Sequence, residues 1–89
     1  MRELNPYEIL KSPLSTEKSI RQMEFENKLV FSVHPKATKL DVRRAVEQLF
    51  KVKVAEVNVQ NSFRGMKKAY VKLASGSSAA DLGADLGLI

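Results

Sequence analysis

Cysteine is absent from this chain and histidine occurs once. The first absence excludes a disulfide framework and any thiolate metal site, and it fits a reducing compartment. The single histidine, His34, stands beside Pro35 with no nucleophile or acid partner marked nearby, so it reads as a turn residue rather than a general base. There is no Gly-rich phosphate loop and no His/Cys metal pair, and the carboxylates are dispersed. Together these gaps exclude the commoner catalytic designs, and the expectation is a non-enzymatic protein with no cofactor and no bound metal. Long apolar runs are missing too. None approaches the ~18 residues that a transmembrane helix needs, and the opening residues MRELNPYEIL do not form a signal peptide. A soluble, intracellular protein without membrane insertion is expected, and 89 residues fit one domain spanning 1–89.

Negative charge is scarce where positive charge gathers. Residues 1–26 hold four Lys/Arg and five Asp/Glu, a net of −1; residues 27–73 hold eleven against three, a net of +8; residues 74–89 hold none against two, a net of −2. A concentrated positive field attracts a polyanion such as nucleic acid, an anionic membrane or an acidic protein. The competing reading is a solvated, lysine-rich surface.

Turn signals at Asn5-Pro6, Ser12-Pro13, His34 to Thr38, Gly65 and Ser75 to Ser78 cut the chain into short units. Residues 7–10, apolar at three of four positions, are expected to form a first strand. Ser15 or Thr16 can cap a short helix over residues 16–24, with Glu17 at the favourable end of its dipole and Ile20 and Met23 facing one way. Leu29, Phe31 and Val33 alternate with Lys28, Val30 and Ser32, which predicts a strand closed by Pro35. Thr38 and Asp41 have capping-box spacing, and Val42, Ala45, Val46, Leu49 and Phe50 form the stripe of a longer helix. Lys39, Arg43 and Glu47 lie on another face of it, where Arg43 and Glu47 can pair. In VKVAEVNVQ the valines change phase at Ala55 and Glu56, which predicts a turn or bulge before a strand beginning near Glu56. KKAYVKLA is the last strand, with Ala69, Val71 and Leu73 on one face and Lys68, Tyr70 and Lys72 on the other. A final helix follows from Ser78, weakened by Gly83 and Gly87. The fold class is α+β: a small sandwich in the order β-α-β-α-β-β-α, with helices packed on a four-stranded, largely antiparallel sheet.

The closing hairpin carries the best-supported surface. Lys68, Tyr70 and Lys72 form a stripe, and the partner strand offers Asn58, Gln60 and Ser62, with Asn61 beside them. Amides and hydroxyls bond phosphate, ribose or base edges, and an aromatic face stacks a base. The turn adds Arg64, Lys67 and Lys68 around Gly65, whose freedom at positive φ permits close approach. Lysines on a hairpin edge also serve simply to keep that edge from aggregating. RGMKKAYVKL partly matches the RNP1 element of an RNA-recognition motif. Two extra residues follow Arg64-Gly65, Leu73 replaces the final aromatic, and Met66 the first.

Several segments in fixed order carry a wider likeness: ILKSPLSTEKS, then NKLVFSVHPKATKLDVRRAVEQLFKVKVAEVNVQN, KKAYVKLASG and DLGADLGLI. Over nearly its whole length the chain resembles the large-subunit ribosomal protein L twenty-three family in its short, archaeal form. The resemblance implies a cytoplasmic structural protein of the large ribosomal subunit that binds large-subunit rRNA at the rim of the polypeptide exit tunnel. It further implies a neighbour, ribosomal protein L twenty-nine, and a docking platform for the signal recognition particle and, in bacteria, trigger factor. Glu17 matches the glutamate of the family's Ser/Thr-Glu-Lys motif and becomes a candidate factor-docking residue. Rounding out the candidate rRNA contacts are Lys11, Ser15, Thr16 and Lys18 near the start, and Lys36, Lys39 and Arg43 in the middle. Bacterial members carry a long tunnel-probing loop between the last two strands; here only a few residues around Gly65 join them. Two alternatives remain on the residues alone: a protein-docking module with a basic face, and a free-standing domain like an RNA-recognition motif.

Overall fold

A computed structural model describes residues 5–61 and 66–88. Its order is α1 (Pro6–Ile9), β1 (Leu10–Pro13), α2 (Glu17–Phe25), β2 (Lys28–Val33), α3 (Lys39–Phe50), β3 (Val54–Asn61), β4 (Lys67–Leu73) and α4 (Ala79–Asp85). The four strands form one antiparallel sheet in the order β1-β2-β4-β3. The α+β class, the antiparallel sheet and the sequence of elements from α2 onward agree with the sequence reading.

The first segment differs. Residues 7–10 were expected to be a strand, but Pro6–Ile9 is one helical turn. The Asn5 side chain accepts from the Glu8 N–H, and proline stands in the first turn. That pairing is a helix-start signal, because proline's missing donor costs nothing there. The strand begins at Leu10 and ends at Pro13, which pairs with Phe31. β1 is an edge strand, where a missing N–H is tolerated.

Alternation in β2 and β4 is decided by the helices on one face. Leu29, Phe31, Val33, Ala69, Val71 and Leu73 join one core with Met23 of α2, Val42, Ala45 and Val46 of α3, and Ala79 at the start of α4. Phe50 stacks on Phe31 at a centroid distance of 5.9 Å; Leu49 of the same stripe is only half-buried. In β3 the phase change is a register irregularity between Val54 and Glu56. The strand starts at Val54, two residues earlier than expected, and the irregularity lets Val54 and Val57, three apart, both reach the core.

Thr16 and Thr38 cap α2 and α3 in reciprocal boxes, closed by the side chains of Ser19 and Asp41. In α4, two copies of Ala-Asp-Leu-Gly do different things. Gly83 is buried inside the helix, where an added Cβ would collide with Met23 Sδ. Gly87 follows the helix at φ +77°, with its N–H on the Ala84 carbonyl and the Leu88 N–H on the Gly83 carbonyl. This is the double hydrogen bond of a Schellman ending, which favours glycine.

Candidate nucleic-acid interface

All four helices contribute to the packed side of the sheet or border it, so the chemistry of the other side is set by strand register. β4 lies between β2 and β3, and its even-numbered residues head three rows across the open face. These are Ser32–Lys68–Gln60, Val30–Tyr70–Asn58 and Lys28–Lys72–Glu56. β1 extends them with Ser12 opposite Ser32, and just past its end the Leu14 N–H donates to the Val30 carbonyl at 2.9 Å. The central row is thus apolar and aromatic up to Asn58, and each flanking row carries lysine.

Val30 is only 4% exposed although it lies outside the helix-side core. Its register neighbour Tyr70 is half-buried, while Asn58, Gln60 and Lys72 are exposed and Lys68 is half-buried. Among the described residues neither Lys68 nor Lys72 has an ion-pair partner, whereas Lys28 Nζ lies 3.5 Å from Glu26. These two ammonium groups, without an ion-pair partner among the described residues, share the sheet face away from the helices and are available to phosphate oxygens. Glu56, beside Lys72, bounds this positive surface at the β3 edge.

The remaining candidates separate into other regions. Lys67 pairs with Val33 and Asn61, so these lie on the helix side, opposite Lys68. The Lys67 ammonium donates to the carbonyls of Ala37 (2.7 Å) and Pro35 (3.3 Å), tying β4 to the turn before α3. That turn is also held by His34, whose Nδ1 accepts from the Lys36 N–H at 3.0 Å. Lys36, Lys39 and Arg43 are exposed around the start of α3. Lys39 and Arg43 line a shallow groove with Leu40 and Val57, and Arg43 Nε lies 3.8 Å from Glu47. Lys11 and Lys18 are exposed on β1 and α2. Ser15 donates to the Leu88 carbonyl, and the Thr16 hydroxyl accepts from the Ser19 N–H, so both hydroxyls already hold local structure. Glu17 stands exposed at the start of α2, 3.5 Å from Arg21. Arg64, Gly65 and Ser62 lie outside the described residues.

Lys28 and Ser32 join the open face although neither was a candidate. Their alternation was visible, but which strand sits beside β4 is a property of the sheet order. Among the described residues no cluster of His, Asp or Glu is placed to hold a metal ion, and no helix is long and apolar enough to cross a membrane.

Known proteins complete this picture. The family described as "Ribosomal protein L23" matches residues 8–80. The large ribosomal subunit protein uL23 of Methanothermobacter thermautotrophicus is 48% identical over 85 residues, covering 96% of this chain and 99% of that protein. The uL23 of Methanococcus vannielii is 42% identical over the same shares. That of Tetrahymena thermophila is 44% identical over 97% of this chain, but the chain spans only 57% of its length. The match covers all four strands that build the open face, and this chain belongs to the ribosomal protein L23 family.

Proposed function

We propose that this protein is a structural, non-enzymatic constituent of the large ribosomal subunit, that it binds large-subunit rRNA through the open sheet face, and that it lies at the rim of the polypeptide exit tunnel. The observation that carries the rRNA reading is the register that sets Lys68, Tyr70 and Lys72 beside Asn58 and Gln60 on the sheet face away from the helices. Family membership supports the ribosomal setting. The same membership supports ribosomal protein L twenty-nine as a neighbour and the signal recognition particle as a visiting factor. One folded domain suffices for this role.

Recognition is by charge and shape: ammonium groups neutralise phosphates and release counterions, while amides and the tyrosine fit the RNA surface. Affinity for large-subunit rRNA fragments should fall with salt at a log–log slope of about −0.7 to −0.9 per phosphate neutralised. It should also exceed affinity for bulk RNA at every salt concentration. Binding that ignores salt, or that treats the two RNAs alike, would defeat the proposal.

Glu17 is the candidate contact for a targeting factor. Its pairing with Arg21 is between two exposed side chains and contributes little to stability. Glu17→Lys should therefore leave the fold intact and weaken binding of the signal recognition particle to ribosomes carrying the variant. Equal binding would remove Glu17 from the docking surface.

A further inference from the structure

Between its two lysine-bearing rows, the open face holds one row of different chemistry: Leu14, Val30, Tyr70 and Asn58. Double-helical RNA presents phosphates and ribose hydroxyls, which lysines satisfy and an apolar, aromatic row does not. An unstacked nucleotide presents a flat π-face and a free hydrogen-bonding edge, and that row offers a partner for each. Lys68 and Lys72 stand about 13 Å apart along the strand, wide enough to bracket one nucleotide and its neighbouring phosphates. Among the described residues the Tyr70 side chain makes no hydrogen bond, so none of them fixes its hydroxyl.

We infer that the central row holds a single extruded rRNA base, stacked on Tyr70 with its edge on the Asn58 amide, while Lys68 and Lys72 hold the flanking phosphates. This rests on the rRNA-binding reading and adds the local structure of the RNA that is bound: an unpaired nucleotide at a bulge, loop or junction rather than a continuous helix. Asn58 supplies both a donor and an acceptor, so it can select among bases where lysine cannot.

The chain has no tryptophan and two tyrosines, which permits a direct test. In a Tyr7→Phe background Tyr70 is the sole tyrosine emitter, and Tyr7 is 78% exposed on α1, away from the open face. Adding large-subunit rRNA fragments should quench its emission in step with binding. Tyr70→Leu should weaken affinity about 5- to 150-fold, the range for one stacked base. Its salt slope should match that of the parent protein, since no phosphate contact is lost. Tyr70→Phe should recover most of that loss. Thermal melts establish that each variant is folded, and the quenching arm requires no change at Tyr70. Salt-dependent rRNA binding with unquenched emission, or with Tyr70→Leu as tight as the parent, overturns the extruded base while leaving the rRNA-binding reading in place. Absence of salt-dependent binding in the unaltered protein overturns both.

Discussion

Replacing Asn27 with alanine should destabilise the fold by about 2–4 kcal/mol, the largest loss expected from any single polar side chain here. Asn27 sits between α2 and β2 at φ 56°, in the left-handed region where asparagine is tolerated and alanine is strained. Its Nδ2 donates to the carbonyls of Ser77 (2.9 Å), Leu73 (3.1 Å) and Ala74 (3.4 Å). Its Oδ1 accepts from the Ala79 N–H at 2.7 Å. Three acceptors on one side and a backbone donor on the other leave only one orientation for the amide. The Asn27 carbonyl also accepts from the Leu73 N–H. One side chain therefore clamps the loop between β4 and α4 against the start of β2. Alanine removes these part-buried hydrogen bonds, leaving the Ala74 carbonyl only its bond from the Ser77 N–H, and adds backbone strain. For a domain of this size the loss corresponds to a fall in Tm of roughly 10–25 °C. Asn27→Gly separates the causes, because glycine accepts positive φ without replacing the hydrogen bonds. It should also be destabilised by at least about 2 kcal/mol. A glycine variant within about 0.5 kcal/mol of the parent protein, the range of an ordinary surface change, would show that the clamp contributes little.

Much of the architecture was legible because burial imposes period on sequence. β4 alternates from Lys68 to Leu73, and β2 does so except at Val30, which is buried on the face away from the helices. Val42, Ala45 and Val46 mark α3 at helical spacing, and the Thr38–Asp41 box was visible at its start. The irregularity in β3 announced itself as a change of phase among valines. What failed to show was local or non-local in specific ways. A four-residue helix has no periodicity to display, so Pro6–Ile9 looked extended although its cap and proline were in view. Asn27 resembled any turn asparagine, because its partners lie 46 to 52 residues away. Lys67 and Lys68 looked like one basic cluster, yet adjacent strand residues point to opposite faces. One is spent on the carbonyls of Pro35 and Ala37; the other lies on the open face. The candidate site was thus legible as a stripe on β4, while its breadth depended on which strands flank it.

That division makes charge reversal on the open face the sharpest functional test. Lys68→Glu combined with Lys72→Glu should lower affinity for large-subunit rRNA by well over an order of magnitude at ~0.1 M salt. Losing two phosphate contacts flattens the log–log salt slope by about 1.4 to 1.8, which alone corresponds to roughly 25- to 60-fold at that concentration. Two carboxylates facing phosphate add repulsion. The fold should survive: Lys72 is exposed, Lys68 is half-buried, and neither closes an ion pair among the described residues. A new glutamate at position 72 would gain Lys28 as a register neighbour and face Glu56 across the other side. Like and unlike charges there contribute opposing terms of roughly 0.2–1 kcal/mol. Lys51→Glu with Lys53→Glu is the matched control. Both residues are exposed beyond the end of α3, and the double change shifts net charge by the same four units. If affinity depends on the uncovered sheet face, the first pair should lose far more than the second, and only the first should flatten the slope by close to two contacts. Equal losses from both pairs would mean that RNA responds to the overall field of the protein, and the open face would lose its claim to be the interface.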